Sequence, residues 1–151
     1  MQDMKKLLSI SLMVLSIFLA CAHAQDQRER FIGAWRLAWL EEPDASGKVQ
    51  RADCTGLLVY TRDGHMSVQV MYRNPQPSQA GPVQYATGGY EASYGTYTIN
   101  DAHTFTFHVE GALVRKLVGK DLKRVYERSG KQMIVKSPDP IERWRVAWER
   151  N

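Results

Sequence analysis

The chain is expected to fold as an all-β domain, an eight-stranded up-and-down antiparallel barrel, preceded by a signal peptide. Three observations predict this. Strand-like runs recur at eight places, tight turns join most of them, and no long helical pattern follows the N-terminal apolar segment. Eight sequential strands favour closure, because a closed sheet leaves no exposed edge and encloses room for side chains or one small ligand.

The leader comes first. Lys5 and Lys6 precede an apolar stretch, Leu7 to Leu19, which is too short to span a bilayer but right for a signal core. Ala22-His23-Ala24 then supplies a small-x-small cleavage site, so residues 1–24 are expected to be removed and residues 25–151 to form one domain. Leu19-Ala20-Cys21 offers a second processing reading, with a lipid anchor on Cys21, although Phe18 and Leu19 fit that signal poorly. No membrane span is expected, and the mature protein is placed in the periplasm or outside the cell.

The first strand lies within Phe31 to Leu40, where Trp35, Leu37 and Trp39 alternate with Ala34, Arg36 and Ala38, the period of a strand with one face on a core. Pro43 to Gly47 breaks it. Leu57 to Thr61, the turn Arg62-Asp63-Gly64 and Met66 to Tyr72 then read as a hairpin. Asn74 to Gly89, rich in Pro, Gly and Gln, is expected to be a long loop of the kind used as a lid or binding element. Ala92 to Ile99 and Thr104 to Glu110 flank Asn100-Asp101. An apolar connection over 111–120 leads to Leu122–Glu127, Gln132–Val135 and a last strand at about Arg143 to Glu149.

Composition excludes several functions. Removing the leader leaves 127 of 151 residues, with 18 basic and 15 acidic side chains interspersed. That is one modest core, with no basic, aromatic-interleaved run for nucleic acid. Cys54 is the only cysteine beyond the leader, so no internal disulfide can form and an inert buried thiol is expected. His65, His103 and His108 lack metal-ligand spacing, and no G-x-G-x-x-G, P-loop or G-x-S-x-G occurs, so neither metal nor cofactor is expected.

Gly33-Ala34-Trp35 resembles the G-x-W that opens lipocalin barrels. The wider pattern, Gly56 to Gln69, Tyr94-Gly95-Thr96-Tyr97, His108-Val109-Glu110-Gly111 and the closing Trp148-Glu149-Arg150, is similar to the bacterial lipocalin-like domain family over nearly all of the mature chain. The resemblance implies a lipocalin-like barrel and little about chemistry. It also implies a basic side chain packed over Trp35, for which Arg143 and Arg145 are the candidates.

Seven residues are candidates for the ligand site: Ser67, Gln69, Tyr97, His108, Glu110, Arg124 and Trp148. His108 and Glu110 share a strand face and could move a proton if they line the lumen. The apolar alternation of Phe105, Phe107 and Val109 would instead turn them to water, whereas their recurrence in the resembled family favours the lumen, and the lumen is the expectation adopted. Ser67 and Gln69 are open to the same two readings. Arg124 could pair with Glu110 across the wall, while Tyr97 and Trp148 offer aromatic surface. The leading function is binding of a small, largely apolar molecule. A barrel-pocket isomerase, cyclase or hydratase using His108 and Glu110 is the alternative, and a protein-binding barrel acting through its loops is a third. Mass spectrometry of the exported protein is expected to find Gln25 at its N-terminus; a lipidated Cys21 would overturn that processing.

Overall fold

A computed structural model describes residues 27–44, 46–74 and 88–150; the expected leader and most of the expected long loop lie outside them. The chain divides between Phe31 and Ile32 into two units. The first contains a helical turn at 27–29, followed by Phe31 N–H donating to Arg28 O at 3.0 Å. The second holds the sheet.

Nine strands run in order: β1 Gly33–Pro43, β2 Val49–Ala52, β3 Cys54–Tyr60, β4 His65–Tyr72, β5 Tyr90–Ile99, β6 Thr104–Ala112, β7 Asp121–Ser129, β8 Gln132–Lys136 and β9 Arg145–Arg150. Each pairs antiparallel with its neighbours, and β1 hydrogen-bonds to β9, which closes an eight-stranded barrel with β2 as an additional short strand. Because β9 occupies one edge of β1 from Trp35 to Glu41, β2 and β3 share the other edge, end to end. Leu40 faces Ala52 whereas Arg36 faces Leu57, so one extra residue is absorbed near Asp53. The Val-Gln-Arg-Ala sequence of β2 is almost wholly exposed, so no alternation marked it as a strand.

Two further bulges decide which side chains face inward. Between β1 and β9, Leu37 pairs with Trp148 but Trp39 with Ala147, leaving Ala38 as the extra residue. The strict period of two therefore fails at Trp39. Leu40 is buried in its place, and Trp39 sits on the outer wall with the guanidinium groups of Arg51 and Arg145 5.3 and 5.4 Å from its ring. Between β5 and β6, Tyr94 pairs with Gly111 and Gly95 with Val109, leaving Glu110 extra. Gly95 is required at this bulge, because a Cβ there would lie 1.9 Å from the carbonyl oxygen of His108.

One end of the interior is filled with large side chains, including Trp35, Tyr60, Phe105 and Met133, all at most 2% exposed. Each contributes roughly 1.5–3 kcal/mol relative to an exposed position. Trp35 anchors this end. Arg150 lies 4.6 Å and Arg128 5.4 Å from its ring, and Arg150 Nη2 also donates to Ile32 O at 2.5 Å. This corrects the expectation for Arg143 and Arg145: Arg143 donates instead to Gly47 O, and Arg145 pairs with Glu41 at 2.6 Å on the outer wall. Arg145 opens β9 and Arg143 precedes it, whereas Trp35 faces the end of that strand. Gly33 precedes this clamp at φ 128°, a conformation that disfavours any side chain. Replacing Arg150 with Met is expected to cost about 2–3 kcal/mol, from a lost charge-assisted hydrogen bond and cation–π contact. Urea denaturation checks this, and an unchanged midpoint would mean that the clamp contributes nothing.

Candidate functional site

Away from the Trp35 clamp the interior is not filled. A cavity of about 80 Å3 remains, several times the roughly 10–15 Å3 that one water needs. Its wall is mostly apolar: Leu58, Met66 and Val70 from β3 and β4, Phe107 from β6, Val146 and Trp148 from β9. It extends to Leu117, in the 3-10 turn Arg115–Leu117 between β6 and β7, and to Trp144 just before β9. Of the apolar residues in this connection Leu117 reaches the cavity, while Leu113 and Val118 are exposed.

Three polar side chains also line this space: Glu91, Ser93 and Arg124. Glu91 and Ser93 are inward because β5 alternates in step with Tyr97, counting back by two through Gly95. Arg124 is inward on β7 in step with buried Tyr126. Its guanidinium lies 5.3 Å from the Trp144 ring, and its Nη1 donates to Lys123 O at 3.1 Å. Burial pushes the Glu91 carboxyl up to about 7, and the charge of Arg124 only partly offsets this. No hydrogen bond or ion pair from another described residue holds that carboxylate.

A second acid with a raised pKa, Glu42, lies on β1. Tyr72 donates its hydroxyl to Glu42 Oε2 at 2.7 Å, and burial raises the pKa of both groups. The Cys54 thiol is pushed up to about 11, chiefly by burial, which suits the inert thiol expected from sequence.

The structure places the seven sequence candidates in three locations. Arg124 and Trp148 line the cavity. Tyr97 points inward but packs in the filled end, its ring 4.9 Å from that of Tyr60 and its hydroxyl donating to Thr61 O at 3.2 Å. Ser67, Gln69 and Glu110 lie on the outer wall, along an open groove with Tyr94, Leu113 and Arg115. His108 is also outside: its Nδ1 meets Asp121 Oδ1 at 2.7 Å and its Nε2 lies 3.3 Å from Thr98 Oγ1. The lumenal placement of His108 and Glu110 is thereby corrected, and so is the pairing of Arg124 with Glu110, since a barrel wall separates them. Inward Phe105, Phe107 and Val109 set the face, and the Glu110 bulge did not reverse it. The His-Val-Glu-Gly and Tyr-Gly-Thr-Tyr runs instead meet across this bulge, with the Tyr94 ring over Gly111.

Sequence reasoning missed Glu91, Ser93 and Trp144. For the first two a signal existed, because an inward Tyr97 implies an inward Glu91 three alternations earlier. For Trp144 none existed, since it lies outside regular structure.

The connections at the cavity end also differ from those at the filled end. Val49, Met71, Tyr90, Leu113, Val118 and Ile141, the last 84% exposed, all lie in or beside the connections at the cavity end. Among the described residues, turns 61–64, 100–103 and 130–131 at the other end expose no large apolar side chain.

A family model described as a lipocalin-like domain matches residues 32–150. No curated protein sequence matches the chain. Among solved structures, a redesigned beta barrel superposes with a TM-score of 0.44 at 9% identity, covering 82% of this chain and 94% of its own.

The Glu91 carboxyl generates a pH test. It ionises near its ordinary value of 4.5 in the unfolded chain but only near 7 in the fold. Between those values the unfolded chain holds fewer protons, so stability falls as pH rises, by up to about 3 kcal/mol once pH exceeds the folded value. Glu91→Gln is expected to be more stable than the parent at about pH 8, with the gain vanishing near pH 4. Denaturation at both pH values checks this; an equal difference at each would mean the carboxyl ionises as in water.

Proposed function

The chain belongs to the lipocalin-like domain family, and on that premise we propose that it is an exported binding protein holding one small, largely apolar molecule in its barrel lumen. The observation that carries this reading is the unfilled, polar-studded cavity. Leaving about 80 Å3 open costs on the order of 2 kcal/mol against a filled core, and desolvating the Glu91 carboxyl adds to that cost. An interior selected for stability alone would contain neither feature. Apolar walls with a few converging polar groups are the usual composition of a ligand site.

Export is supported by the lysines before Leu7 to Leu19 and by Ala22-His23-Ala24, which favour the periplasm or the outside of the cell. The apolar side chains exposed around the cavity end favour entry there. A second reading has one observation behind it: a buried carboxyl poised near neutrality beside a cation can serve as an acid/base, so a barrel-pocket enzyme would use Glu91 rather than His108 and Glu110.

A panel of medium-chain, retinoid-like and aromatic ligands is expected to raise the melting temperature, by about 2.7 kcal/mol of added stability at a hundredfold excess over Kd. Leu122→Trp, which fills the cavity from β7, is expected to abolish the shift. Absence of any shift across the panel would sink the binding reading, and ligand turnover abolished by Glu91→Gln would favour the enzyme.

A further inference from the structure

We propose that the ligand is an amphipathic carboxylic acid, its headgroup gripped by Arg124 inside the lumen and its tail lying along the apolar wall. The inference rests on the binding function above and names the chemistry of its ligand.

Arg124 is the only cation among the described residues that line the cavity. Its guanidinium has five N–H donors, of which one is used by Lys123 O, and Trp144 covers it from one side. No described carboxylate forms an ion pair with it. Arg124 is half-buried at the edge of an apolar space, and a carboxylate matches its guanidinium fork with two parallel hydrogen bonds.

Charge balance selects among headgroups. Glu91 lines the same cavity, attracts Arg124 from a distance and has no hydrogen bond or ion pair from another described residue. With Glu91 protonated, an incoming carboxylate neutralises Arg124 and accepts a hydrogen bond from the Glu91 hydroxyl, leaving no net charge. With Glu91 ionised, the same ligand leaves an excess negative charge in a low-dielectric space. A protonated amine would set a second cation beside Arg124, and an alcohol would leave Arg124 as it was.

Binding therefore takes up a proton at Glu91. The other groups that face this carboxyl do not provide the same switch. From β1, Glu42 is held by the Tyr72 hydroxyl; from β3 and β4, Cys54 and Tyr72 are both raised well above neutrality and stay uncharged. From β6, β8 and β9 the cavity receives only apolar side chains, Phe105, Phe107, Val135, Val146 and Trp148.

Octanoate, octanol and octylamine share one tail and separate the headgroups. Titration calorimetry of the purified protein is expected to rank octanoate at least about tenfold tighter than octanol near pH 6, with octylamine weakest. Octanoate affinity is expected to fall by about tenfold per unit above pH 7, with net proton uptake seen in buffers of different ionisation heat. Arg124→Met is expected to bring octanoate down to the level of octanol, and Glu91→Gln to flatten the pH dependence of octanoate binding. Octanol binding as well as octanoate, a preference for octylamine, or pH-independent octanoate binding would each overturn this inference and leave the binding function standing. If none of the three binds near pH 6, this inference falls, and the wider ligand panel decides the binding function.

Discussion

The pairing of β1 with β9 is the constraint on which the rest of the structure depends. It converts an open meander, whose first and last strands would each present unpaired N–H and C=O groups, into a closed wall with an inside. Trp35 sits at this seam, and the basic groups that cover it come from β7 and from the last residue of β9, so a single side chain ties three strands together. Arg150 also reaches back to the backbone at Ile32, immediately before β1. With Cys54 the one cysteine among the described residues, this clamp and the aromatic cluster of Tyr60, Tyr97 and Phe105 do the work that a disulfide would do elsewhere.

Filling one end of a small barrel so thoroughly leaves the other end free to be hollow. Eight strands enclose only enough space for side chains or a ligand, and here the two are separated along the axis. Trp35 and its cluster of aromatic rings fill the clamp end, whereas aliphatic and aromatic side chains with Glu91, Ser93 and Arg124 line the remainder. The electrostatics follow from this geometry. A carboxyl placed among Met66, Val70 and Phe107 loses its hydration, so its affinity for protons rises, and a guanidinium across the same void recovers only part of that loss.

Motif residues that looked chemical are here structural. His108, Glu110, Gly95 and Tyr94 surround a bulge on the outer wall, where one strand has a residue more than its neighbour, and Gly95 lets the backbones approach. A His–Asp contact at 2.7 Å joins β6 to β7 at the same level. Shared pattern in this region reports how two strands are registered, which a shared fold requires whatever the ligand.

The sequence by itself determined the strand count of the barrel, most strand positions and the inward alternation on β7, because turn chemistry and a period of two are local properties of the chain. Within those limits Arg124 and Trp148 were legible as lumenal, and Glu91 could have been, from the parity of Tyr97. Only the tertiary structure decided where that parity slips. One extra residue at Ala38 turned Trp39 out and Leu40 in. A bulge is fixed by the pairing of strands far apart in sequence, as is the choice of Arg150 rather than Arg143 or Arg145 over Trp35. The meeting of Glu91 with Arg124 across the lumen has the same origin: each is an ordinary polar residue on its own strand, and closure of the sheet makes them share one apolar space.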